Sequence, residues 1–141
     1  MKISARNMLG GTVTKVAKGA VNAEVDLTLD GGDKIAAVIT NASADRLGLA
    51  EGKKAFAIIK ASSVILGKNL QGVKMSTRNI LCGKIDKVVE GTVNSEVALK
   101  LPGGSTLTAI ITNESTHSLE LRQGEQMCAA FKASSVIIGV E

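Results

Sequence analysis

Aromatic residues are almost absent from this chain, since its 141 residues include two phenylalanines and no tryptophan or tyrosine. Proteins that bind single-stranded nucleic acid usually stack bases on exposed aromatic rings. The composition therefore argues against an OB-type nucleic-acid binder, and we expect no nucleic-acid partner. The net charge of +4 leaves a mild bias toward anions, and a salt-dependent shift with an oligonucleotide would revive this alternative.

Residues that commonly bind metals are also scarce. The only histidine is His117, and the only cysteines are Cys82 and Cys128, which form no C-x-x-C pair. Because this is no ligand set, we expect no directly coordinated metal ion. His117 is expected on the surface of a short helix, and the two cysteines are expected to be free, mostly buried thiols in a reducing cytoplasm rather than a disulfide.

Signals for membranes, nucleotides and catalysis are missing as well. Residues 1–7 lack the apolar h-region of a signal peptide, and no apolar run is long enough to span a membrane. The sequence has no G-x-x-x-x-G-K-[ST] loop, and no nucleophile, base and orienting partner are identifiable from the motifs. We therefore expect a cytoplasmic protein with no membrane partner, no bound nucleotide and no enzymatic activity.

The chain does contain one module written twice. A constant shift of 72 positions carries Ser4 onto Ser76 and Lys60 onto Lys132 without a gap. Such repetition decides the domain organisation and predicts two domains, residues 1–68 and 73–141, joined by a short linker. Modules of about 70 residues bury a modest core, so we expect packing between copies, within or between chains.

Alternation of apolar and polar residues predicts a hairpin in each module. The alternation is clearest over residues 21–29 and, in the second copy, over 93–101. Each run ends in a glycine-rich turn, at residues 30–33 and 102–105, before apolar sequence resumes. That pattern is typical of two antiparallel strands joined by a turn.

The rest of each module predicts a small barrel. In the first copy we expect an opening strand over about residues 2–16, a short helix over 40–47 that begins at Thr40, and strands over 55–60 and 64–66. The second copy repeats this order. The count favours an all-β fold of two tandem OB-like five-stranded β-barrel modules, each with one short helix.

Two short polar motifs are preserved in both copies. Residues 4–7 (S-A-R-N) match residues 76–79 (S-T-R-N), and the segment K-A-S-S-V-I occurs at both 60–65 and 132–137. Their cationic and hydroxyl-bearing side chains are hydrogen-bond donors, which suit an anion. A single arginine, lysine or turn serine is more often an ordinary surface residue, but retention in both copies, where other surface positions have diverged, favours a binding site.

In this order and at this offset, the motifs resemble those of the molybdenum-pterin-binding (Mop) domain. The segment G-x-V-N-x-E-V, at residues 19–25 and 91–97, belongs to the same pattern. Two such domains in tandem resemble the di-domain molbindins, which are cytoplasmic molybdate-binding proteins, and the resemblance covers essentially the whole chain. It implies OB-like barrels, an N-terminal strand exchanged between modules, and a ring of six modules. For a tandem chain that ring is a homotrimer with oxyanions at its interfaces.

The resemblance gives the preserved donors a role. Molybdate and tungstate are tetrahedral dianions whose oxygens only accept hydrogen bonds, so a matching site presents guanidinium, ammonium, hydroxyl and backbone N–H groups. The predicted oxyanion-binding residues of the first copy are Ser4, Ala5, Arg6, Asn7, Thr40, Ser43, Arg46, Lys60, Ala61 and Ser62. Those of the second copy are Ser76, Thr77, Arg78, Asn79, Thr112, Ser115, Lys132, Ala133 and Ser134.

Some of these assignments have alternatives. Asn7 and Asn79 can instead be structural, bonding backbone at the start of a strand. The resemblance also implies a second kind of oxyanion site, on a three-fold axis, near Gly19, Val21, Asn22, Gly91, Val93 and Asn94; the alternative is that Gly19 simply permits a tight turn. Because Arg46 is replaced by Ser118 in the second copy, two classes of affinity are expected if the helix residue reaches the anion.

The predicted function is binding of molybdate, with tungstate as a second candidate, for intracellular molybdenum storage and homeostasis. The alternative is an oxyanion-sensing interaction module that docks on a regulator or transporter. Stoichiometry and affinity discriminate between them, because storage needs several sites per assembly and reversible release.

Overall fold

The computed structural model describes residues 2–141. The first repeat contains β1 (Asn7–Lys18), β2 (Asn22–Leu29), β3 (Lys34–Thr40), α1 (Asn41–Leu47), β4 (Lys54–Ile59), a 3-10 turn at Ala61–Ser63 and β5 (Ile65–Gly67). The second contains β6 (Asn79–Glu90), β7 (Asn94–Lys100), β8 (Thr106–Thr112), α2 (Asn113–Ser118), β9 (Gln126–Phe131), a 3-10 turn at Ala133–Ser135 and β10 (Ile137–Gly139). The predicted all-β fold, with five strands and one short helix in each repeat, is confirmed.

The hairpins form where apolar and polar residues alternate in the sequence. On β2, the residues at 23, 25, 27 and 29 are buried and those between them are partly exposed. β2 and β3 pair antiparallel from Thr28 opposite Lys34 to Asn22 opposite Thr40. The register of β1 with β2 shifts between Val13 and Lys15, and such a bulge bends a strand. The long first strand can therefore pair with both β2 and β4.

The short last strand of each repeat belongs to the sheet of the other repeat. One five-stranded sheet has the order β10-β4-β1-β2-β3, and the other has the order β5-β9-β6-β7-β8. The expected exchange of an N-terminal strand is therefore wrong, because β1 and β6 each pair on both sides with strands of their own repeat. The 3-10 turn after β4 lies against β8 and carries the chain onto the other sheet.

Strand exchange gives the two sheets one common hydrophobic core. Val13 and Leu27 of the first repeat belong to the same buried cluster as Ile85, Leu99 and Phe131 of the second. A lone repeat of this size would bury little apolar surface. The expected packing between copies is thus realised within one chain.

The turns of the two hairpins meet tip to tip. The Gly103 backbone N–H donates to Asp33 Oδ2 at 3.1 Å, and a Cβ atom placed on Gly31 would lie only 1.9 Å from the Gly103 carbonyl oxygen. Glycine at both positions therefore permits the backbones to touch.

The two cysteines form a disulfide, so the expectation of free thiols is wrong. Cys82 on β6 lies directly opposite Cys128 on β9 in the antiparallel register. The separation of 46 residues concealed this pairing in the sequence. In the first repeat the matching positions are Gly10 and Phe56, also directly opposite one another.

Other expectations concern the surface and possible metals. His117 is exposed on α2, as predicted, and its Nε2 lies 2.6 Å from Glu90 Oε1. Within residues 2–141, no helix has the length and apolar character needed to cross a bilayer. The same residues contain no group of three or more histidine, cysteine, aspartate or glutamate side chains that could hold a metal ion.

Candidate oxyanion-binding site

Strand register brings the two polar motifs of each repeat together. The β1–β4 ladder ends with Asn7 opposite Ile59, so Arg6 and Lys60 are the next residues on the two chains. In the second repeat the β6–β9 ladder ends with Asn79 opposite Phe131. Arg78 and Lys132 follow it in the same way. Each repeat therefore presents one arginine and one lysine at the end of a single strand pair.

A buried asparagine fixes each arginine-bearing segment to the other repeat. Asn7 Nδ2 donates to the Thr108 carbonyl at 2.8 Å, and the Thr108 N–H donates to Asn7 Oδ1 at 2.7 Å. Asn79 makes the same two bonds with Ala36, both at 2.8 Å. β1 starts at Asn7 and not near residue 2, and Asn7 is the residue whose backbone belongs to the β1–β4 ladder while its side chain bonds the other repeat.

The two arginines reach across the same boundary to glutamates. Arg6 Nη1 lies 2.5 Å from Glu96 Oε1, and Arg78 Nη2 lies 2.5 Å from Glu24 Oε1. The hydrogen bond from Arg78 lowers the pKa of Glu24, against a smaller opposing effect of burial, and Glu24 in turn raises the pKa of Arg78. Sequence reasoning did not assign these glutamates, although both occupy the E of the repeated G-x-V-N-x-E-V segment.

The lysine motif ends in a tight turn. Ala61 and Ala133 are buried, whereas Lys60, Lys132, Ser62 and Ser134 are exposed. The turn is closed by the Ser63 N–H donating to the Lys60 carbonyl at 2.9 Å, and the second repeat has the same bond from Ser135 to Lys132. In the part of the chain that the structure describes, neither lysine forms a salt bridge, so both ammonium groups are available to a ligand.

The remaining residues of the S-[AT]-R-N motif differ between the repeats. Ser4 and Ser76 are exposed. Thr77 Oγ1 donates to the Phe131 carbonyl at 2.5 Å. Its counterpart Ala5 has no hydroxyl and cannot make this bond. Thr77 therefore holds the second motif to β9.

The hydroxyls at the helix starts form a second group of donors. Thr40 Oγ1 caps α1 by accepting from the Ser43 N–H at 3.0 Å, and it donates to Ser43 Oγ at 2.9 Å. Thr112 and Ser115 repeat this arrangement at 3.1 and 2.9 Å. Among residues 2–141, no hydrogen bond or salt bridge joins these hydroxyls to the arginines and lysines. Arg46 lies in the last turn of α1, at the end away from Thr40.

The loop predicted as a second site lies beside this helix start. The Gly19 N–H donates to the Asn22 carbonyl at 2.7 Å, and Asn41 on α1 donates through Nδ2 to the Gly19 carbonyl at 2.9 Å. Gly91, Asn94 and Asn113 repeat these bonds in the second copy. The loop is thus a tight turn held to the helix. Val21 and Val93 at its tip are 69% and 68% exposed.

Comparison with known proteins agrees with these motifs. Residues 3–66 and 75–138 each match the TOBE domain. The chain is 47% identical over 140 residues to the molybdenum transport protein ModE of Azotobacter vinelandii, covering 99% of this chain and 52% of the relative. It is 44% identical over 140 residues to the molybdenum-pterin-binding protein MopA of Rhodobacter capsulatus, covering 99% of this chain and 53% of the relative. It therefore spans about half the length of these curated relatives.

A solved structure matches over its full length. This structure, of the cytoplasmic molybdate-binding protein ModG with molybdate bound, has a TM-score of 0.96 and 49% identity, covering 100% of both chains. The two TOBE matches leave only the linker and the chain ends uncovered. The resemblance to Mop domains is thereby confirmed, and the chain belongs to the TOBE-domain family, with two copies of the domain in tandem.

Proposed function

We propose that this chain is a cytoplasmic molybdate-binding protein, with tungstate as a second ligand, and that it serves molybdenum storage and homeostasis without catalysing a reaction. The observation that carries the proposal is the strand register, which places Arg6 and Lys60 at the end of one strand pair and Arg78 and Lys132 at the end of another. Each pair lies beside exposed hydroxyls. The full-length similarity to ModG, whose structure contains molybdate, supports the same ligand.

The chemistry of the donors fits a tetrahedral dianion. Arg6 and Arg78 offer forked, charge-assisted N–H donors, and Lys60 and Lys132 add ammonium donors. The serine hydroxyls and the backbone N–H groups of the turns would complete the shell.

Asn7 and Asn79 take a different part in this proposal. The Nδ2 and Oδ1 atoms of each side chain form hydrogen bonds with the backbone of the other repeat. We propose that they hold the arginine-bearing segments in place. The oxyanion would then be contacted by their neighbours in the motif.

We propose that the chain assembles as a homotrimer with oxyanions at the interfaces. Two pairs of exposed apolar side chains occupy matching positions on the two repeats, which suits a ring of six equivalent domains, proposed at residues 1–68 and 73–141. Ile65 and Ile137 are 62% and 58% exposed, and Val21 and Val93 are more exposed still. We propose that these side chains are covered in the assembly. In such a ring, Thr40, Ser43 and their counterparts from a neighbouring domain would complete each site, and the loops at Gly19 and Gly91 would meet near the three-fold axis.

A sensing role is the second candidate. Relatives named ModE, including a DNA-binding transcriptional dual regulator of Escherichia coli, match this chain over 52% of their length. Domains of this type thus occur within longer regulators. In that role the chain would bind few oxyanions and dock on a regulator or transporter.

Native mass spectrometry with a molybdate titration, repeated in the presence of sulfate, tests the proposal. We expect a trimer that takes up several molybdate ions, which sulfate does not displace. A monomer, or an oligomer that binds neither anion, would contradict the assignment. An oligomer that binds molybdate only together with a regulator would favour the sensing role.

A further inference from the structure

Each arginine of the proposed site already has an anionic partner within the chain. Glu24 lies on β2 and Glu96 lies at the same position of β7, and each carboxylate accepts a hydrogen bond from the arginine of the other repeat at 2.5 Å. The contact occurs in both copies. Each carboxylate therefore occupies one guanidinium nitrogen that an oxyanion could use.

The location of these glutamates is fixed by the anchoring of the motifs. Glu24 pairs in register with Val38, two residues from Ala36, the residue that Asn79 binds. Because Asn79 holds the backbone next to Arg78, the guanidinium lies within reach of the Glu24 carboxylate on β2. Glu96 and Arg6 repeat this geometry beside Thr108.

We infer that Glu24 and Glu96 are built-in competitors of the oxyanion, which limit the affinity of the sites and make binding readily reversible. The inference rests on the proposed function, because it requires Arg6 and Arg78 to bind the oxyanion. A carboxylate carries one negative charge and molybdate carries two, so the dianion can displace the carboxylate from the arginine. The negative charge of the nearby glutamate still opposes binding of the dianion.

A carboxylate beside an arginine can also help a site by holding the guanidinium in place. That contribution is small here, because Arg6 and Arg78 side chains are 54% and 55% exposed and exposed ion pairs contribute little. Exposure also weakens the repulsion between the carboxylate and the oxyanion, but that repulsion acts on both charges of the dianion, and loss of the existing bond adds to it. Competition therefore outweighs positioning, and removal of the charge strengthens binding.

Glutamine substitution separates the two effects, because it removes the charge and keeps an oxygen that can accept from arginine. We expect Glu96→Gln to tighten molybdate binding about threefold to tenfold at the Arg6 sites and to slow dissociation there. Glu24→Gln should do the same at the Arg78 sites. Each single variant leaves half of the sites unchanged, which provides an internal control for folding and assembly.

The measurements are isothermal titration calorimetry and stopped-flow dissociation of molybdate on the full chain. Glu51→Gln, in an exposed turn, changes the net charge equally and should leave affinity unchanged. Glu96→Ala should also tighten binding if the glutamate competes, and should weaken binding if it positions the arginine. Normal binding by the unsubstituted chain, with unchanged or weaker binding by Glu96→Gln, overturns the inference alone. No binding by the unsubstituted chain overturns the proposed function as well.

Discussion

Asn7 and Thr108 bond one another twice across the boundary between the repeats, as two residues of neighbouring strands would. The Asn7 side-chain amide donates to the carbonyl and accepts from the N–H of Thr108, and Asn7 is only 1% exposed. Asn79 and Ala36 repeat the arrangement. A side chain thus extends a backbone ladder from one repeat onto the other.

Replacing this asparagine should destabilise the protein. Asn7→Ala leaves the partly buried N–H and carbonyl of Thr108 without these partners, and each unsatisfied buried group costs about 1–3 kcal/mol. We expect the free energy of unfolding, measured by urea denaturation, to fall by about 2 kcal/mol or more. Gln123→Ala, in an exposed turn, is the control and should have almost no effect. A similarly small change for Asn7→Ala would show that the pair is dispensable.

One buried polar atom in the first repeat lacks the partner found in the second. Ser95 Oγ donates to Asn113 Oδ1 at 2.6 Å, whereas Asn41 Oδ1 is buried without a partner because Ala23 replaces the serine. We expect Ala23→Ser to stabilise the chain by about 1 kcal/mol and Ser95→Ala to destabilise it by about the same amount. Thermal unfolding of the two variants measures the shifts. If both variants were more stable than the natural chain, or both less stable, this account would be contradicted.

The disulfide should contribute to stability in only one of the two sheets. Cys82 and Cys128 close a long loop, with a sequence separation of 46, and such cross-links typically contribute about 2–4 kcal/mol. Adding a dithiol reductant should lower the melting temperature of the natural chain. The variant Cys82→Ser with Cys128→Ser is the control, because its melting temperature should be low already and insensitive to the reductant. An equal response of both proteins would mean that the bond is unimportant.

The arginines should affect ligand binding far more than folding. Their side chains are more than half exposed, and surface ion pairs contribute about 0–1 kcal/mol. We expect Arg6→Ala with Arg78→Ala to keep the circular dichroism spectrum and to weaken molybdate binding about tenfold or more at each site, since hydrogen bonds to charged groups contribute about 1.5–3 kcal/mol. Arg122→Ala, in an exposed loop, should bind normally. Unchanged molybdate uptake by the folded double variant would remove both arginines from the site.

Local features of the structure could be predicted from the sequence, and partners distant in the chain could not. Alternation over residues 22–29 depends on one strand alone, and the capping of α1 by Thr40 depends on residues three positions apart. Which sheet receives β5 depends on free edges elsewhere in the molecule. The pairing of Arg78 with Glu24 likewise needs the two repeats to be placed side by side. Prediction of the disulfide would have required the register of β6 with β9, which neither cysteine reveals by itself.

The exchange of β5 and β10 makes this chain equivalent to a dimer whose two copies have been joined covalently. A repeat on its own would have an unpaired sheet edge and a strand without a sheet, and a second copy is the partner that fits both. The linker supplies that copy at a high effective concentration and in a fixed ratio of one to one. The two halves should consequently fold and unfold as a single cooperative unit.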